Sequence, residues 1–127
     1  MGGFMRKIVV FFINSYKVNF FNLNMAEEYN KLVRDRIPEI IRARGKNPVI
    51  HTASNEEYVT KLREKLLEEV NEYLQSNSET ELIDILEIVY TLCDVHKITK
   101  ERIEQMRRKK ALERGRFLEK VILEKVE

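Results

Sequence analysis

The sequence predicts an all-α fold: a helical bundle of about four helices, closed by a short C-terminal strand or tail. Three observations carry this expectation. Hydrophobic residues make up 43% of the chain and charged ones 35%, with no tryptophan and only four glycines. That balance suits a helix-rich globular protein better than a β-sandwich or a disordered chain. Consecutive segments after Ser54 place apolar residues at helical spacing, and Ser or Thr stands where each such helix should begin. At 127 residues the chain is long enough for one real core but not for two. A net charge of +2 is too small to imply nucleic-acid binding by itself. The lone Cys93 excludes an intrachain disulfide, and with the isolated His51 and His96 it makes no zinc pattern. Lying in an apolar helical run, Cys93 reads as a small core residue.

The elements follow in order. Met1 to Asn24 is rich in Phe, Asn, Val and Ile and has no acidic residue. Its apolar run Ile8 to Ile13 spans six residues, too short to cross a membrane, and no signal-peptide pattern is evident. Residues 1–24 are therefore read as an atypical extension and 25–127 as the domain. Met25 is taken as the initiator and the preceding segment as a gene-start artefact; the competing reading is a short added strand or a membrane-surface anchor. Val33 to Arg44 is expected to be a short helix, with Pro38 near its start and Gly45 at its stop. Ser54 with Glu57 offers a capping box for a helix running to about Leu74, with Leu62, Leu66 and Val70 on its core face. Ser78 with Glu81 offers a second box, opening a helix from about Glu79 to His96. That helix is apolar over most of its circumference and is expected to be the buried centre of a bundle or a dimer interface. Thr99 caps a basic fourth helix ending at Gly115. Phe117 to Val126 alternates apolar and charged residues, as a terminal strand or tail would.

Within the second and third helices lie two acidic clusters, Glu68-Glu69-Val70-Asn71-Glu72 and Glu81-Leu82-Ile83-Asp84. Glu69 and Glu72 are three residues apart, as are Glu81 and Asp84, so each pair projects from one helix face. Among so many apolar neighbours these carboxylates are costly to desolvate unless a cation compensates them. Oxygen-only donors suit Mg2+ or Mn2+, which usually work on phosphates. The plain rival is a solvated charged face, a reading weaker for Glu81 and Asp84 because their helix has little other polar surface.

The segment Tyr29-Asn30-Lys31-Leu32-Val33-Arg34-Asp35-Arg36-Ile37-Pro38-Glu39-Ile40-Ile41 resembles the opening motif of phosphoribosyl-ATP pyrophosphohydrolase-like proteins. These belong to the all-α MazG-like nucleotide pyrophosphohydrolase superfamily, whose metal motif is EExxE followed by ExxD. Glu68, Glu69 and Glu72, then Glu81 and Asp84, stand at the matching positions. The tail from Glu113 to Glu124 is similar to the same subgroup, which commonly carries Arg-Gly-Gly-Phe; Arg116 replaces the second glycine here.

The resemblance implies Mg2+-dependent cleavage between the α and β phosphates of a nucleoside triphosphate or of phosphoribosyl-ATP, giving a monophosphate and pyrophosphate. It implies Glu69, Glu72, Glu81 and Asp84 as metal ligands, with Mg2+ or Mn2+ as the ion. Glu68 is then the group that orients or deprotonates the attacking water, or an additional ligand. Lys31 and Arg34 in the opening motif, where Arg34 and Asp35 could pair, are candidate phosphate contacts, with Lys109 and Lys110 from the basic run Arg107 to Lys110. Partners are a nucleotide and further copies of the chain, as a dimer or tetramer, with no membrane and no nucleic acid; the compartment is read as the cytoplasm. The alternative, from another class, is a non-catalytic helical interaction or nucleic-acid-binding module that uses the basic run and does not need the acids.

Overall fold

The computed structural model describes residues 10–13, 16–19 and 29–127. The class is all-α from Tyr29 onward, with four helices: α1 (Ile37–Ala43), α2 (Asn55–Ser76), α3 (Glu79–Val95) and α4 (Lys100–Arg114). Before them, β1 (Val10–Ile13) pairs antiparallel with β2 (Tyr16–Asn19), Val10 opposite Asn19 and Ile13 opposite Tyr16. Met25, read from sequence as the initiator, lies outside the described residues. The chain forms two compact units, Met1–Val89 and Tyr90–Glu127. No helix among the described residues is long and apolar enough to cross a membrane.

Helix α1 begins at Ile37, four residues later than the sequence suggested, and Pro38 explains the delay. A helix begun at Val33 would press the Pro38 ring against the Arg34 carbonyl, and Pro38 has no N–H to donate to it. The Arg34 carbonyl instead accepts a hydrogen bond from Ile37 N at 3.0 Å, closing a tight turn. Ile37 is buried at the head of the helix and anchors the irregular segment 29–36. After α1 the chain turns at Gly45, whose φ of +76° favours glycine.

Ser54 caps α2 as expected, its Oγ accepting from Glu57 N at 3.2 Å. The reciprocal half of the capping box is replaced, since the Glu57 carboxylate lies 2.7 Å from His51 Nε2. Asn77 ends α2 in the left-handed region, its N–H donating to the Tyr73 carbonyl at 2.8 Å. The second capping box does not form. Ser78 Oγ accepts from Thr80 N at 3.3 Å, while Glu81 N donates to the Ser78 carbonyl at 3.1 Å. The Glu81 side chain is thereby free to point inward.

Helix α3, expected as the buried centre of a bundle or of a dimer interface, is not enclosed within the chain: Leu82, Ile83, Leu86 and Val89 are exposed while Glu81, Asp84 and Ile88 are buried. Much of the apolar surface of α3 lies outward, and Glu81 and Asp84 lie inward beside Ile88, whereas Glu79, Glu87 and Asp94 are exposed.

In the C-terminal unit, Thr99 Oγ1 caps α4 by accepting from Arg102 N at 3.1 Å, and Gly115 closes it at φ +82°. No residue of α4 is buried. Residues 115–127 form a tail rather than a strand, with Phe117, Val121, Ile122 and Val126 exposed. Cys93 is buried, as its apolar surroundings in sequence implied.

Ser54→Ala should lower the unfolding free energy by about 1 kcal/mol, read as a shift in urea midpoint at constant slope. Ser78→Ala, removing a weaker bond only two residues long, should cost less than that.

Candidate metal centre

On α2, Lys65, Glu68, Glu69 and Glu72 follow one another at spacings of three, one and three residues, which puts them along one stripe. Glu81 and Asp84 stand on the first turns of α3, three apart, as one face requires. The structure brings Glu69, Glu81 and Asp84 together: one oxygen from each lies within 4.8 Å of the others. All three are buried, with Glu69 only 1% exposed. Glu69 Oε2, Glu81 Oε2 and Asp84 Oδ2 are buried without a hydrogen-bond partner among the described residues.

Two basic groups reach this cluster. Arg34 Nη2 donates to Asp84 Oδ1 at 2.9 Å across fifty residues of sequence. Lys65, itself 7% exposed, places Nζ 3.4 Å from Glu69 Oε1 and 3.6 Å from Glu68 Oε2. Against three carboxylates these two cations leave an excess of negative charge. Burial pushes the Glu69 carboxyl up to about 7, reinforced by a hydrogen bond shared with Glu81 and by the charge of Asp84, and opposed by Lys65. Asp84 is raised as well, chiefly by burial, with Arg34 holding it back. The cation-free site therefore takes up a proton near neutrality.

A divalent cation is the other way to balance the charge. The donor set is oxygen only, which suits hard Mg2+ or Mn2+ over zinc or copper. Around an octahedral Mg2+ neighbouring oxygens are about 3 Å apart and opposite ones about 4.2 Å, so three oxygens within 4.8 Å of one another would close in further to share one ion. Three protein oxygens also leave room for the waters that Mg2+ usually keeps.

The remaining candidates are placed less centrally. Glu72 is not one of the three clustered acids; it is half-buried and lines an open groove of about 430 Å³ with Lys31, Glu64, Leu67, Glu68 and Asn71. Glu68 sits at the rim between two lysines, with Lys31 Nζ donating to its Oε1 at 3.1 Å. Arg34 pairs with Asp84 rather than with its neighbour Asp35, which is exposed. Lys109 and Lys110 belong to the C-terminal unit and are exposed on α4, with Lys109 Nζ 3.9 Å from Glu113. Sequence reasoning missed Lys65. The signal was its spacing of three and four residues ahead of Glu68 and Glu69.

No family model matches the chain, and no solved structure matches it. The chain is similar to a protein of Mycolicibacterium smegmatis described only as uncharacterized, with 62% identity over 42 residues. The match takes in 33% of this chain and 43% of that relative, so it spans less than half of either.

The raised Glu69 carboxyl fixes a pH dependence. Its proton is held more tightly folded than unfolded, so the stabilisation it gives is complete below about 4.5 and fades as pH rises through about 7. With a chelator present, the melting temperature should fall by several degrees between pH 5 and pH 8. Glu69→Gln should flatten that fall.

Proposed function

We propose that the chain is a Mg2+-dependent nucleotide pyrophosphohydrolase of the MazG-like kind. One observation carries the reading: three buried carboxylates from two helices converge with oxygens that no donor satisfies. Buried charge of one sign is costly to keep, and a structural role would be served as well by apolar residues of similar volume. The motif resemblance of Tyr29 to Ile41 and of the two acidic clusters supplies the reaction class.

Glu69, Glu81 and Asp84 are the ligands the geometry favours, with Mg2+ or Mn2+ as the ion. When bound, that ion would neutralise phosphate charge and lower the pKa of a coordinated water. Glu68 stands at the solvent-facing rim, 30% exposed, where a carboxylate can accept the proton of an attacking water. The water oxygen bonds to one phosphorus, the bridging oxygen leaves with pyrophosphate, and the proton passes to Glu68. Lys31, beside Glu68 on the groove, would hold phosphate oxygens as they shift charge. The substrate class is a nucleoside triphosphate or phosphoribosyl-ATP.

The exposed aliphatic face of α3, with Leu67 and Leu74 of α2 also exposed in the same unit, supports association with further copies, as a dimer or tetramer. The interaction-module alternative is less well supported. Arg107 and Arg108 both pair with Glu104, whose carboxyl the Arg107 hydrogen bond and Arg108 hold down to about 2, so much of the run's charge is met within the helix.

The deciding experiment follows pyrophosphate release with Mg2+ across normal and modified nucleoside triphosphates and phosphoribosyl-ATP. Glu69→Gln should reduce release by at least about 100-fold while keeping the helical circular dichroism of the parent. Silence across the panel from folded protein would overturn the enzyme reading. Separately, Ile83→Arg should shift the mass measured by light scattering toward that of a single chain.

A further inference from the structure

We propose that Lys65 and Arg34 select the cation: by each engaging one oxygen of a clustered acid, they restrict Glu69 and Asp84 to single-oxygen ligation, which suits Mg2+ or Mn2+ and disfavours Ca2+. This rests on the metal-centre reading above and adds to it the residues that determine which ion is taken.

The two oxygens of these carboxylates stand in different surroundings. Glu69 Oε1 lies 3.4 Å from Lys65 Nζ, whereas Glu69 Oε2 is buried without a hydrogen-bond partner among the described residues. Asp84 Oδ1 accepts from Arg34 Nη2 at 2.9 Å, whereas Asp84 Oδ2 is likewise buried without one. The same division thus arises twice, from two separate parts of the chain. Lys65 stands on α2 four residues ahead of Glu69, so the helix itself keeps the two side by side, and its side chain is only 7% exposed. Arg34 comes from the irregular segment before α1, and the Asp84 it meets is buried.

One oxygen apiece is a restriction because hard cations differ in how many they take. Ca2+ takes about 6–8 oxygens and often fills that shell with both oxygens of a carboxylate, whereas Mg2+ takes about six and keeps several of them as water. With Oε1 and Oδ1 engaged, Glu69 and Asp84 offer one oxygen each, and Glu81 adds two at most. That leaves a Ca2+ shell short and a Mg2+ shell that water completes. An unrestricted acid cluster would lean the other way, because Mg2+ gives up its water reluctantly. Charge alone does not discriminate: the two ions carry the same charge, so Lys65 and Arg34 repel both alike. The selection lies in which oxygens the two basic groups leave open.

The test is calorimetric titration of the full chain with MgCl2 and with CaCl2, without nucleotide. The parent is expected to bind Mg2+ more tightly than Ca2+. Lys65→Met keeps an unbranched side chain but frees Glu69 Oε1, and should move the ratio of Ca2+ to Mg2+ affinity about tenfold toward Ca2+. Arg34→Met should move it in the same direction through Asp84 Oδ1. It serves by itself if Lys65→Met does not keep the circular dichroism of the parent. A rise in both affinities by the same factor would mean that the two residues act through charge only, and would overturn the selection while the metal centre stands. Tighter binding of Ca2+ than of Mg2+ by the parent would do the same. If neither ion binds the parent, the metal-centre reading itself falls and takes the selection with it.

Discussion

The rest of the N-terminal unit depends on the cost of burying Glu69, Glu81 and Asp84 together. Among the described residues the buried side chains include Ile37, Leu62, Ile88 and Cys93, but equally Lys65, Glu69, Glu81 and Asp84. A core this thin in apolar groups has little surplus to offset uncompensated charge. The surrounding architecture reads as a response to that constraint. Pro38 delays α1, the delay leaves residues 29–36 irregular, and the irregular segment delivers Arg34 to Asp84. Lys65 does the same for Glu69 from within α2. The tight junction at Asn77 and Ser78 brings the first turns of α3 back toward the middle of α2.

Much of this was legible in the sequence because it is local. Helix ends followed from Ser54, Thr99 and Gly115, whose side chains or backbone freedom act within a few residues. The spacing of Glu69, Glu81 and Asp84 foretold their shared faces for the same reason. Periodicity reports a face without saying which of its residues meet: Glu72 shares the stripe of Glu69 yet lines the groove and is not among the three clustered acids. The partner of Arg34 was not legible at all, since a contact spanning fifty residues leaves no trace in neighbouring spacing. Asp35 was the nearer choice and the wrong one.

The α3 helix shows a different limit. A segment apolar on most sides is expected at the centre of a bundle or of a dimer interface; within the chain, Ile83 is 64% exposed and Glu81 4%. Hydrophobic periodicity identifies which surfaces need cover but not which neighbour supplies it. Here the chain uses the interior side of α3 for carboxylates and leaves the aliphatic side to be covered from elsewhere. The tail posed a related ambiguity. Alternation from Phe117 to Val126 suits a strand, but a strand needs an edge to pair with, and none is paired to it among the described residues.

The charge balance also bears on how one set of residues could serve both folding and the proposed chemistry. Without a divalent ion, the three acids are compensated by Lys65, Arg34 and a proton on Glu69. With the proposed ion, that proton would be superfluous. A site satisfied fully by fixed internal cations would be stable but chemically inert, because nothing would need to bind there. A site with no internal cations would burden the helix pair with three unscreened carboxylates whenever the ion was absent. Partial compensation, by one buried lysine on α2 and one arginine from the irregular segment, lowers the cost of folding with these acids buried while leaving negative charge that the proposed ion would meet.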